Sequence, residues 1–193
     1  MPSLFFLHFI FSLHKMSQLS FHTKHHHLRR IHHILYLEFL LPESSIGSPF
    51  WVTPMVQLIV GKKGKGKTKQ LLDKVNSEVK DIAGSIVYLD KSTKHMYELN
   101  NKVRLIDVSR YMIENESEFL GFVCGIISQD HDLEQMYFDS FLKIAALEDK
   151  DISAVVEKLE RMSDFFQVDF ILSVSRDESE LPESVKDKII VSL

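Results

Sequence analysis

The chain has 193 residues, a net charge of −4 and a single cysteine, Cys124. One cysteine excludes an internal disulfide framework and suits a reducing cytoplasm, the expected location. The acidic balance argues against a broad nucleic-acid-binding surface, which needs clustered basic charge.

The composition is uneven along the chain. Residues 1–54 hold eight of the ten histidines, seven of the fourteen phenylalanines and the one tryptophan, Trp51. Four of the 23 basic and two of the 27 acidic residues also fall there, which leaves 19 and 25 in residues 55–193, a net of −6. The opening run MPSLFFLHFIFSL lacks the positive start and small-residue cleavage site of an export signal, and is too short to span a bilayer. IHHILYLEFLL is also short and contains Glu38. No Cys, Asp or Glu sits among His22, His25, His26, His27, His32 and His33 to complete a metal site. Residues 1–54 therefore read as a non-domain extension, unstructured or translated from a start placed too early. Residues 55–193 read as one domain, long enough for a usable core.

Within that domain, Val56–Val60 is a short apolar run of buried-strand type. GKKGKGKT follows, and then a helix with Leu71, Leu72, Val75 and Val79 on one face. Gly84 is expected to stop this helix. Strands are predicted over 85–89, ending in Asp90, and over 103–107, with a polar connection between them. A helix over 116–128 carries Gly121 and Gly125, spaced to let its backbone approach the sheet, and Cys124 on its apolar face. A strand over 135–138 ends in Asp139. A helix over 151–166 has Asp151 as its cap. A strand over 169–173, a short helix opened by Pro182 and an edge strand over 189–191 complete the domain. Strands alternating with helices predict an α/β fold whose mainly parallel sheet, of about five to six strands, is covered on both faces.

The segment 61–68 fits the pattern G-x-x-x-x-G-K-[ST], with Gly61, Gly66, Lys67 and Thr68 in the fixed places. Lys62, Lys63, Gly64 and Lys65 fill the variable ones. Such a loop curls round a phosphate with its N–H groups pointing inward, which requires glycine at positive φ. Lys67 would reach the β- and γ-phosphates, and the Thr68 hydroxyl would ligate the Mg²⁺ between them. The helix that starts here adds unpaired N–H groups and a positive dipole end. The loop also needs a carboxylate to hold hydrated Mg²⁺, usually at the end of an apolar strand. Asp139 and Asp107 both qualify. Asp139 is favoured because two strand–helix units separate its strand from the loop strand.

With these residues, 55–193 resembles the P-loop NTPase superfamily, and within it the additional-strand, RecA-like ATPases. It also resembles short ATP-binding proteins of anaerobic Gram-positive bacteria, sometimes labelled twitching motility ATPases. The chain lacks room for the extra N-terminal domain and histidine boxes of those motors. The resemblance implies a three-layer P-loop NTPase fold, ATP–Mg²⁺ binding by residues 61–68, and Asp139 as the acid of the second (Walker B) motif. That group commonly has a glutamate after this acid to polarise water. Here the next residue is Ser140, which is no base at neutral pH without activation, and Glu148 and Asp149 are loosely placed. Ser173 and Ser175 stand where such ATPases place a γ-phosphate sensor, and Arg176 could stabilise transition-state charge.

The expected function is therefore ATP–Mg²⁺ binding with at most slow hydrolysis. A small-metabolite or nucleoside kinase is the enzymatic alternative, although Arg104, Arg110, Arg161 and Arg176 are too scattered for an arginine-bearing lid. A non-catalytic nucleotide-sensing subunit, with a protein partner or a second copy of itself, is the third. A GTPase is excluded because Asn101-Lys102-Val103-Arg104 ends in Arg where guanine recognition needs Asp. A thymidine-kinase-like enzyme would need zinc cysteines.

Overall fold

The computed structural model of the chain describes residues 55–193, so the expectations for residues 1–54 lie outside the described residues. In chain order the elements are β1 (Val56–Val60), α1 (Lys67–Glu78), β2 (Ser85–Asp90), β3 (Val103–Asp107), α2 (Glu116–Gln129), β4 (Leu133–Phe138), α3 (Phe141–Ile144), α4 (Ser153–Phe166), β5 (Asp169–Val174), α5 (Glu183–Lys186) and β6 (Ile189–Ser192). The strands form one sheet in the order β3-β2-β4-β5-β1-β6, and every pair is parallel.

Side chains that alternate across the strands divide the core in two. Ile59, Ile86, Tyr88, Tyr137 and Ile171 pack with Leu71, Leu72 and Val75 of α1. Leu58, Val60, Val87, Leu89, Met136, Phe138, Phe170 and Leu172 face the other way, against α2, α3 and α4. The result is a three-layer α/β fold. The second layer is strongly aromatic: Phe138 meets Phe119 edge-on with ring centres 5.5 Å apart and stacks on Phe170 at 5.6 Å. Both faces of the central strands are buried, which is why their sequences read as continuous apolar runs.

Four local expectations change. The first helix ends at Glu78, with Val79 as its cap, well before Gly84. Gly84 serves a different end. A Cβ there would lie 2.0 Å from the Asp132 carbonyl oxygen, because the entry to β2 runs hard against the start of β4. Gly121 and Gly125 face away from the sheet, and a Cβ on either would meet nothing within 4 Å. The inward positions of α2 are instead taken by Phe119, Leu120, Val123, Ile126 and Ile127, which leaves Cys124 exposed. Lastly, α4 begins at Ser153 with Ile152 as the cap residue, while Asp151 still accepts from the Ser153 N–H at 2.7 Å. Among the described residues, no helix is long and apolar enough to cross a membrane.

Candidate functional site

The segment between β1 and α1 folds as a tight loop. Gly64 and Gly66 take left-handed φ angles of 88° and 94°, and Gly61 has φ 142°. A Cβ on Gly61 would lie 2.7 Å from the Leu193 carbonyl oxygen, so close packing as well as conformation demands glycine there. The Gly61 N–H donates to the Arg176 carbonyl at 2.8 Å, which ties the loop to the end of β5. Gly66 caps α1 without a side chain, and the first turn of the helix holds no acidic residue. By contrast, α2 has the Asn115 side chain as its cap and two glutamates in its first turn. No residue of α1 itself compensates its positive end, which favours an anion there.

Lys67 lies at this point with only 6% of its surface exposed. Its ammonium donates back across the loop to the Lys62 carbonyl at 2.8 Å. Burial lowers its pKa, and the charges of Asp139 and Asp177 work against that. Lys62 does not point freely into solvent: it pairs with Asp177 at 2.8 Å, and that hydrogen bond raises its pKa. Lys63 and Lys65 are exposed.

The sheet order places the two carboxylates at different distances from the loop. β4 lies two places from β1, with β5 between them, whereas β3 is the far edge strand. Strands are spaced about 4.8 Å apart, so the end of β4 is roughly 10 Å from the end of β1. Thr68, in the first turn of α1, closes that gap: its hydroxyl donates to Asp139 Oδ1 at 3.2 Å. Asp139 is buried, and the same oxygen accepts from the Ser173 hydroxyl at 2.8 Å and the Ser140 N–H at 2.7 Å. Asp107 is occupied locally by Ser109 and Arg110, and the Ser109 hydroxyl leads the causes that hold its carboxyl below the ordinary value. Thr68 and Asp139 form an all-oxygen donor pair that fits Mg²⁺.

The remaining predicted residues separate. Ser173 is buried at the centre of this network, and its Oγ also accepts from the Ser140 N–H at 3.1 Å. Ser175 lies beyond the end of β5 and is exposed. Arg176 directs its guanidinium to the carbonyls of Leu147, Glu148 and Lys150, at 3.2, 2.9 and 2.8 Å, so it anchors that loop. Ser140 takes a left-handed φ of 53°, and its backbone N–H, rather than its hydroxyl, meets Asp139. Glu148 approaches Lys143 at 3.8 Å on the surface.

Sequence reasoning missed a further group. β2 pairs directly with β4, with Leu89 opposite Phe138, so Asp90 and Asp139 leave adjacent strands at the same level. Asp90 is as deeply buried as Asp139. Burial, and next the charge of Asp139, push its carboxyl above the ordinary value. His95 stands nearby, and Asp90, His95 and Asp139 each offer a ligand atom within 4.8 Å of the others. SIVYLD carries the same signature as MYFD and VRLID, an apolar strand closing on an acid. Only the strand order shows which acids meet.

No family model matches the chain, and no curated protein matches it.

Proposed function

We propose that residues 55–193 bind a nucleoside triphosphate with Mg²⁺, with ATP the expected nucleotide and slow hydrolysis at most. The Thr68–Asp139 contact carries this reading, because it joins the glycine loop to a buried acid two strands away. Lys67 would meet the β- and γ-phosphates. The loop N–H groups and the start of α1 would receive the remaining phosphate charge. Thr68 would ligate Mg²⁺ directly, and Asp139 would hold its water shell, with Ser173 and the Ser140 N–H orienting the carboxylate. The metal would neutralise charge that develops on the phosphates.

Slow turnover follows from the surroundings of Asp139. The next residue supplies an N–H to that acid and no carboxylate that could polarise water. Arg176 is engaged by three carbonyls away from the loop. Wild-type turnover is expected below about one per second, under the usual enzymatic range. The reading is tested by Mg²⁺-dependent ATP binding in Asp139→Asn and Asp107→Asn. Asp139→Asn should weaken binding by at least about tenfold, and Asp107→Asn should leave it within about twofold, in line with the worth of a charge-assisted contact. Equal losses, or a larger loss in Asp107→Asn, would contradict the assignment.

A further inference from the structure

Asp90 and Asp139 at the ends of β2 and β4, with His95 in the connection after β2, form a group of which the nucleotide reading uses Asp139 alone. Asp90 and Asp139 are each 2% exposed, and neither has an ion pair among the described residues. Two carboxylates this deep and this close repel each other and carry a desolvation cost that a cation would relieve. The three hydrogen bonds to Asp139 all fall on Oδ1, so Oδ2 is the oxygen open to a cation. Asp90 is held in place by the Lys91 N–H at 2.6 Å.

His95 adds a nitrogen. Its Nδ1 lies 2.7 Å from Glu98 Oε1. A ring that donates from Nδ1 to a carboxylate keeps its lone pair on Nε2, the arrangement that orients metal-binding histidines. An independent observation points to the same place. The Tyr88 hydroxyl is fully buried and has no hydrogen-bond partner. The acids that bear on it are Asp139 first, then Asp90 and Glu98. A buried hydroxyl left this way is costly, and water bound to a cation would satisfy it.

We propose that Asp90, His95 and Asp139 form a site for a divalent transition metal, selective against Mg²⁺. Ligand atoms about 2.1 Å from one ion lie about 3–4 Å apart, and the three already lie within 4.8 Å of one another. Mg²⁺ prefers oxygen ligands and sheds water reluctantly, whereas one imidazole with two carboxylates suits the Mn²⁺-to-Zn²⁺ series. The site needs no nucleotide, and Asp139 is the one residue it shares with the ATP reading.

The test is a Mn²⁺ titration of the metal-free full chain without nucleotide, followed by the loss of the free-ion EPR signal. Mn²⁺ is the probe because it is the weakest imidazole binder of the series, so the eight histidines of residues 1–54 give the least background. One saturable site is expected, retained under a hundredfold excess of Mg²⁺. His95→Ala should weaken it by at least about tenfold, and Glu98→Gln by about tenfold through loss of ring orientation. His131→Ala, the other histidine of residues 55–193, should change nothing. His95 and Glu98 lie outside the core, so both variants should keep the wild-type melting temperature. No saturable site, unchanged affinity in His95→Ala, or displacement by equimolar Mg²⁺ would overturn the proposal.

Discussion

Asp139 Oδ1 receives three hydrogen bonds from three parts of the chain: Thr68 in α1, Ser173 in β5 and the Ser140 N–H at the end of β4. Ser173 is buried, so its removal costs more than the bond alone. Ser173→Ala should destabilise the protein by about 1–2 kcal/mol, read from urea unfolding, because it weakens the hold on a buried acid. The same variant should weaken Mg²⁺-dependent ATP binding more than Ser175→Ala, since Ser175 is exposed beyond the strand. At this scale the loop was legible from the sequence, because its glycines and lysine sit at fixed spacings. Asp139 was legible as one of two candidates. Asp90, His95 and Tyr88 were not, because their meaning depends on a strand neighbour that no local pattern specifies.

At the scale of elements, glycines with the same sequence appearance differ in what surrounds them. Gly84 is walled in by the Asp132 carbonyl, so Gly84→Ala should cost about 2 kcal/mol or more, through overpacking against backbone. Gly121 and Gly125 face open space on α2, so Gly121→Ala or Gly125→Ala should stabilise by about 0.5–1 kcal/mol through helix propensity. Thermal melting of the three variants checks both signs. The end of α1 is pinned by Glu78, which accepts from the Tyr137 hydroxyl at 2.6 Å and pairs with Lys74 at 2.5 Å. Burial opposes the charge on Glu78, but hydrogen bonds from Lys74, Tyr137 and Gln135 outweigh it and set its pKa below the ordinary 4.5. A lowered carboxyl pKa stabilises the fold above the unfolded-state value, and that contribution fades as pH falls through the folded value. The wild type should therefore exceed Glu78→Gln in stability at pH 7, and the gap should close below about pH 4. An unchanged gap from pH 7 to pH 3 would show that Glu78 acts by packing alone.

Across the whole molecule, strand order converts separate motifs into one site. Apolar runs and helical periodicity were enough to place every strand to within two residues and to predict a parallel sheet covered on both faces. They did not give the order β3-β2-β4-β5-β1-β6, because no strand carries a label for its neighbour. That order sets β5 between the loop strand and the strand of Asp139, with Ser173 midway, and sends Asp107 to the far edge. The central claim is that this convergence makes a nucleotide site with Lys67 at its heart. Its most direct measurement is the Mg²⁺–ATP affinity of the full chain by filter binding, in the wild type and in Lys67→Ala, Lys62→Ala and Lys63→Ala. Lys67→Ala should cost about 2–4 kcal/mol, the loss of one partner of a desolvated charge pair. Lys62→Ala and Lys63→Ala should each weaken binding by less than about fivefold, as exposed charges do. Equal losses in all three variants, or no saturable ATP binding by the wild type, would contradict the account.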